Sequence, residues 1–446
     1  TTFTIILISR GNNTNYGTID DVFVLIHDLY CSKTYVRTLD PEEYALSRSS
    51  NKVLIVGAGP VGLVTALRLN SFGIPCVVFE ANDSLPQDLR ASTFHPPTLD
   101  MLDEYAISDR LVSMGRICPA WQIRIHETHE YAEFDLSLIA NETNHPYRLQ
   151  CEQSKLCEIL KSELVNASNV EFHFGATVKS FTQFDDYVEV DVDKSGERHT
   201  YTGRLLVAAD GAKSQIRKHL GVNFEGVTYP ETVILATTKF PFELHLPNLA
   251  NVNYVWTEGS TFSLLHLPDR WRCSLYRDPD ESVEDAIKPE AIQQKMQKIV
   301  TQAGDYDILD LRVYRVHMRI VDDYRVGRVV FAGDAAHVNS PSGGMGMNGG
   351  VHDAFALTEE INAIFNGAAL DRLDAYTKQR LPIAKSEIMA QADKNRRRMQ
   401  ERDPVKRREI FKQLQRIASS DDLARAYLLN SSMITGLKRA KAIVAS

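Results

Sequence analysis

Between Lys52 and Glu80 the chain changes texture three times. Residues 53–56 are apolar without a break, 63–69 space apolar residues along one helical face, and 76–79 form a second unbroken apolar block. Unbroken short blocks predict buried strands and the periodic stretch predicts a helix. "KVLIVGAGPVGLVTALRLNSFGIPCVVFEAN" is therefore expected to be a βαβ unit of the usual ~30 residues. A similar apolar block at 329–332 runs straight into Gly333-Asp334 and a glycine-rich loop. Residues 121–149 and 226–317 behave differently, with alternating, aromatic-rich runs such as "WQIRIHE", "NYVWTE", "STFSLLHL" and "WRCSLYRD" that predict antiparallel strands. "SKLCEILKSELV" predicts a helix and "VEFHFGATVKSFTQFDDYVEVDVD" a hairpin or meander. After Gly350 the chain is expected to be mostly helical, with Pro382 and Pro404 as breaks. Residues 1–50 hold two short apolar runs around a Gly/Asn/Thr-rich turn and read as an appended extension with no assignable function.

Composition narrows the class. At 446 residues the chain can bury a large core in two or three domains, and 43% apolar with 24% charged residues is ordinary for a globular protein. A net charge of −8 disfavours nucleic acid as the main partner. The basic run at 394–408 (Lys394, Arg396, Arg397, Arg398, Arg402, Lys406, Arg407, Arg408) reads as a solvated helix face. Six cysteines in a chain this long make no disulfide framework, and the Cys151/Cys157 spacing suits neither a redox pair nor a metal. A reduced, cytoplasmic setting is expected. No apolar run reaches the ~18–20 residues of a membrane span, and "FTIILI" is too short for a signal peptide. The histidines show no zinc spacing, so no metal is expected.

The chemistry lies in the glycines. In Gly57-Ala58-Gly59-Pro60-Val61-Gly62 the first glycine permits a tight turn, the second lets backbone approach a pyrophosphate, and the third allows close helix–strand packing. The helix opening at Pro60 adds partial positive charge. Glu80 ends the next strand 18 residues past Gly62, where a carboxylate can accept both hydroxyls of an adenosine ribose. That acid favours FAD or NAD over NADP at this site. An enzyme using only NAD has no need of the second glycine-rich stretch, 327–350.

With that stretch included, the sequence resembles the FAD-dependent aromatic hydroxylases, the single-component flavoprotein monooxygenases of the p-hydroxybenzoate hydroxylase fold. Three motifs carry the resemblance over roughly 51–385: GAGPVG with Glu80, "LLVAADGAKSQIRKHLGV" through Asp210, Gly211, Ser214 and Arg217, and the stretch with Gly333, Asp334, His337, Pro341, Gly343, Gly344, Gly346 and Asn348. Arg90 in "LRASTFHPPTLDMLDEYAI" and Gln153 in "QCEQSKLCEIL" fall at the family's further FAD contacts. Ser340 replaces a common proline, and "AFALTEEI" lacks the family's usual Trp-Lys pair.

The resemblance implies an α/β (α+β mixed) fold. Residues 51–120, 150–225 and 318–380 would form a discontinuous FAD-binding, Rossmann-like domain with a parallel sheet. An inserted antiparallel-sheet substrate domain would take 121–149 and 226–317, and C-terminal helices 381–446. It implies an enzyme that uses NADH or NADPH transiently and O2, through a flavin C4a-hydroperoxide, to hydroxylate a small phenolic or N-heteroaromatic substrate, as a monomer or homodimer. Asp334 would meet the ribityl chain or pyrophosphate. The helix from Gly344, Met345, Gly346, Met347 and Asn348 would aim N–H groups at the flavin, where a helix N-terminus stabilises negative charge. Pro341 and the glycines would leave the ring unobstructed. Asp210 and Arg217 either join cofactor contacts or form an internal ion pair. His337 fixes the loop, and His95 and His352 are structural. Tyr254 and His266 are the candidate bases over the ring, and Arg272 or Arg124 could take a substrate carboxylate. The rival readings are Baeyer–Villiger or epoxidising oxygenation, polyprenyl reduction, or an FAD-binding homologue without activity.

Overall fold

The computed structural model describes residues 51–85, 91–278 and 280–443, with backbone alone for 3–9, 22–28, 33–39 and 444–445. Arg90 lies outside the described residues. The two apolar runs of the extension and a third segment, Lys33–Leu39, pair as a three-stranded antiparallel sheet.

The core is a six-stranded sheet in the spatial order Val170–Phe174, Cys76–Glu80, Val53–Val56, Leu205–Ala208, Val329–Phe331, Arg325–Val326. All its pairings are parallel except the last. Strands Val53–Val56, Leu205–Ala208 and Val329–Phe331 are buried on both faces, which is why each reads as an unbroken apolar block. The edge strand Val170–Phe174 is only partly buried, so its alternating sequence looked antiparallel. Only the three strands after it, Ala176–Gln183, Val188–Lys194 and Glu197–Gly203, form the expected meander. Helix Pro60–Ser71 packs against the long helix Met345–Phe365 over this sheet.

The second layer is an eight-stranded sheet in the order His337–Val338, Asp310–Val321, Phe224–Thr238, Trp271–Tyr276, Ser260–His266, Val252–Thr257, Ala120–Ile125, Tyr131–Asp135. Its pairings are antiparallel except between Val252–Thr257 and Ala120–Ile125. Strand Asp310–Val321 runs continuously through the boundary expected at 317/318, paired along its length within the eight-stranded sheet. One face of the sheet buries Ile234, Val255, Phe262, Leu264, Trp271 and Cys273 with Ile292 and Met296 of helix Pro289–Gln297. The other face buries Trp121, Val252 and Trp256 under Phe411, Leu414 and Leu428 of the C-terminal helices.

Two expectations for the C-terminal region need correcting. Pro382 does not break its helix: helix Leu373–Ile383 passes through a π-turn, Ala384–Met389, into helix Ala390–Gln400. The wider turn absorbs the proline's missing hydrogen bond. Pro404 does mark a break: helix Ala390–Gln400 ends before it, and it begins helix Pro404–Ala418. The basic run is also not simply a solvated face. Arg398 and Arg407 are buried, Arg407 donates to the carbonyls of Thr257 (2.7 Å) and Ser260 (2.9 Å), and Arg396 pairs with Glu231 at 3.2 Å. These arginines clamp the helices to the sheet. Among the described residues no helix is long and apolar enough to cross a membrane.

Candidate active site

Gly57, Glu80, Asp210 and Asp334 follow four neighbouring strands of the parallel sheet, all at its carboxyl edge, where open α/β sheets bind ligands. Their roles differ in kind. A side chain at Gly57 (φ +104°) would meet the Ala209 carbonyl at 2.4 Å, and one at Gly62 would meet the Gly57 carbonyl at 2.0 Å. Both are glycine because backbone crosses there. At Gly59 nothing lies within 4 Å, so that position borders open space at the N-terminus of helix Pro60–Ser71. This helix start has no side-chain cap and no acidic residue in its first turn, which leaves it electropositive. Glu80 accepts from the Ala58 N–H at 2.9 Å and, through its other oxygen, from the Asn82 N–H at 3.0 Å. That second oxygen also accepts from the Asn82 side-chain amide at 2.6 Å, so the oxygen facing Ala58 is the one that keeps acceptor capacity for a ribose hydroxyl. Gln153 begins helix Gln153–Leu164, and its side chain has no hydrogen-bond partner among the described residues.

Asp210 caps a short helix, accepting from the N–H groups of Gln215 (2.8 Å) and Ile216 (3.3 Å) through Oδ2. Its Oδ1 is buried without a partner, and burial raises its pKa against the pull of those hydrogen bonds. Arg217 forms no ion pair with it. The guanidinium donates to the carbonyls of Ala212 (2.7 Å) and Ala335 (2.8 Å) and lies 3.7 Å from the Phe224 ring. Arg217 thus ties the loop after Asp210 to the loop around Asp334 and does not face a cofactor.

The loop glycines, expected to clear the flavin, mostly face the protein's own side chains. Side chains at Gly333 and Gly350 would strike Val61 at 2.7 and 2.6 Å, one at Gly349 would strike Ile388 at 2.8 Å, and one at Gly344 would strike Thr93 at 2.8 Å. These positions let the two helices and the loop pack closely. A side chain at Gly346 would sit at ordinary contact distance from Asn339 Oδ1 (3.4 Å) and Asp334 Oδ1 (4.0 Å), without a clash. Two expected cofactor contacts are likewise spent inside the protein. Asn348 is fully buried, accepts from the His95 N–H at 2.9 Å and donates to the Thr93 carbonyl at 2.8 Å. The Met345 side chain packs on Ile388 and Met433. Only their backbones remain to face a ligand. Met347 is half-buried against the main core, and the Pro341 carbonyl accepts from the Gly344 N–H at 3.0 Å. Gly344 adopts φ +68° as the N-cap of helix Met345–Phe365, again with neither a side-chain cap nor an acid in the first turn.

Behind this loop lies a buried group that the sequence did not single out. Asp353 receives Nε2 of His337 at 2.7 Å, Nε of Arg380 at 2.7 Å and the Gly333 N–H at 3.2 Å. Burial would raise its pKa, but His337 and Arg380 outweigh it and hold the carboxyl at about 2. His337 therefore anchors the loop. His352 meets Thr98 at 3.0 Å, and burial lowers its pKa to about 3.

On the second sheet, Tyr254 and His266 fall on opposite faces. Tyr254 pairs with Ser263, and His266, three residues further along that strand, pairs with Trp271. Side chains alternate along a strand, so an odd offset reverses the face. Tyr254 meets Trp121 edge-on (6.0 Å) under the C-terminal helices, whereas His266 stacks on Trp271 at 4.1 Å in the helix-covered core. His266 is thereby removed as a base over the ring. Arg124 is removed as a carboxylate ligand, because it donates to the carbonyls of Pro247 (2.7 Å) and Asn248 (2.9 Å). Arg272 is buried on the Tyr254 face and donates to Ser92 at 2.8 Å.

One residue missed in the sequence, Arg148, sits beside these, together with His95, which was expected to be structural. Arg148 is buried with its guanidinium 4.8 Å from the Trp121 ring centroid. His95 is buried and meets the Gly343 carbonyl through Nε2 at 2.8 Å. An arginine inside an otherwise buried strand (Arg148–Gln150) was the available signal. The donor set fits FAD: two uncapped helix N-termini, open backbone at Gly59 and an orphaned acceptor on Asp210 gather at the carboxyl edge of the parallel sheet.

Comparison with known proteins agrees. The FAD binding domain family matches residues 50–392. The para-nitrophenol 4-monooxygenase of Pseudomonas sp. (strain WBC-3) is 31% identical over 388 residues, covering 86% of this chain and 96% of that one. The 6-hydroxy-3-succinoylpyridine 3-monooxygenase of Pseudomonas putida (strain DSM 28022 / S16) is 34% identical over 74% of this chain and 84% of its own. Among solved structures, p-nitrophenol 4-monooxygenase from Pseudomonas putida DLL-E4 superposes with a TM-score of 0.81 at 29% identity, over 88% of this chain and 98% of that one.

Proposed function

The chain belongs to the FAD binding domain family, and on that premise we propose that it is a monooxygenase that uses NADH or NADPH and O2 to hydroxylate a small phenolic or N-heteroaromatic substrate. The observation that carries this reading is the shared sheet edge: Gly59, Glu80, Asp210 and Asp334 gather there, with open backbone at Gly59 and the uncapped start of helix Met345–Phe365 beside Asp334. When bound, FAD supplies the redox chemistry that brings O2 to an aromatic ring.

The rest is the work of the chain. The N-terminus of helix Pro60–Ser71 and the Gly57–Gly62 turn hold the pyrophosphate, and Glu80 holds the ribose. The uncapped start of helix Met345–Phe365 favours negative charge at the far end of the crevice. The C-terminal helices seal the Tyr254 face of the second sheet through Trp256, Phe411 and Leu428, which keeps water from the substrate ring. Tyr254, on the face sealed by these helices, would take a phenolic proton. The name of the DLL-E4 structural neighbour, a nitrophenol monooxygenase, fits this substrate class.

The purified protein is expected to show flavin absorbance and to oxidise NADH or NADPH faster when a phenol or hydroxypyridine is added, with hydroxylated product matching the nicotinamide consumed. A protein that cannot take up FAD, or whose oxidation no aromatic compound stimulates, would overturn the reading.

A further inference from the structure

Among the described residues, Arg148 is a guanidinium with no carboxylate partner. It is 3% exposed, its Nε and Nη1 are buried without hydrogen-bond partners, and no ion pair to it exists among the described residues. Its one close partner is the face of Trp121, at 4.8 Å. Removing a charge from water is costly, and a cation–π contact returns only part of that cost. A buried arginine in this state calls for an anion.

The surroundings say where that anion would lie. Trp121 Nε1 and His95 Nδ1 are also buried without partners. The ring of Trp121 meets Tyr254 edge-on at 6.0 Å, on the face sealed by the C-terminal helices. His95 hydrogen-bonds the Gly343 carbonyl of the glycine-rich loop. Burial, and then the charge of Arg148, lowers its pKa to about 3, so it is neutral and cannot serve as the counter-ion's rival cation. The cluster thus presents one fixed positive charge, an indole N–H donor and an imidazole nitrogen between the substrate sheet and the loop.

We propose that Arg148 and Trp121 form a seat for a negatively charged oxygen substituent of the aromatic substrate, so that the enzyme selects aryl anions over their neutral analogues. This rests on the aromatic-substrate reading above. It adds that the ring enters with its anionic group toward Arg148 and its opposite edge toward Tyr254. The carboxylate of a benzoate and the oxyanion of a phenolate share the required chemistry.

The test measures ligand affinity of the FAD-loaded protein by the change in flavin absorbance. One arm compares 4-hydroxybenzoate with its methyl ester, the other 4-nitrophenol with 4-nitroanisole. The wild type is expected to prefer the ionisable partner in at least one arm, and that arm identifies the anion. Arg148→Met is expected to weaken the anion by about 10- to 100-fold, the effect of one lost charged hydrogen bond. Its neutral analogue should stay within about 2-fold. Arg148→Lys keeps the charge without the planar fork and should fall between. If Arg148→Met fails to load FAD, Arg148→Lys decides: weakened anion binding with an unchanged neutral analogue supports the seat, and wild-type affinity for both overturns it. A wild type that binds acid and ester, phenol and ether alike also overturns it. Turnover of neutral phenols in that case leaves the monooxygenase reading intact, whereas a protein that takes up no FAD removes both.

Discussion

Replacing Asp353 with asparagine tests whether the loop around Asp334 is held by a buried charge. The carboxylate is fully buried and receives His337, Arg380 and the Gly333 N–H. Asparagine preserves shape but leaves Arg380, itself 1% exposed, as a buried charge without its acid. Breaking such a pair from one side costs about 3–5 kcal/mol. At ~2.1 cal/mol/K per residue, a cooperative unit of about 350 residues should lose roughly 4–7 °C in Tm. The pH dependence gives a second reading. The folded pKa of about 2 lies below the ordinary ~3.9 of an aspartate. The wild type therefore holds this stabilisation above about pH 4 and loses it as pH falls toward 2, a difference of about 2–3 kcal/mol. Asp353→Asn should flatten that acid limb. Scanning calorimetry from pH 3 to 7 on the wild type, Asp353→Asn and the double variant Asp353→Asn/Arg380→Met checks both. The double variant should recover part of the lost Tm, since it removes the stranded charge. A single variant melting within about 1 °C of the wild type, or a double variant that melts lower still, would refute the reasoning.

Two further outcomes follow from geometry. Gly59→Ala borders open space and should leave the melting of the FAD-free protein unchanged while weakening FAD retention, whereas Gly62→Ala, which meets the Gly57 carbonyl at 2.0 Å, should lower both; melting with and without FAD and flavin release on dilution measure the pair. Tyr254→Phe should cut substrate-stimulated turnover by about tenfold or more and flatten its alkaline pH profile. His266→Ala should leave turnover alone and cost about 0.5–1.5 kcal/mol of stability through the lost stack on Trp271.

What could be read without coordinates is local. The buried strands at 53–56, 76–80 and 329–331 are apolar on both faces, so their composition alone betrays them. The turn from Gly57 to Gly62 and the acid at 80 lie within a single βαβ unit, where spacing along the chain is spacing in space. The family likeness then followed from three such local motifs in order. What the sequence could not assign depends on register and on contacts between distant segments. His266 and Tyr254 look equivalent in the sequence, yet an odd offset along one strand puts them on opposite faces. Gly333 and Gly350 resemble ligand clearance, but their neighbour is Val61, almost three hundred residues away. Asn348 and Arg217 carry motif chemistry but spend it on His95, Thr93 and two carbonyls. Arg148 gives no sign in the sequence that it lacks an acid, because ion pairing is decided only when the two sheets close on each other. The sequence by itself determined the dinucleotide crevice and its cofactor class, since helix termini and glycine turns act through adjacent residues. Tertiary structure alone decided which side chains remain free to meet a substrate, because that depends on which polar groups the packed chain has already satisfied.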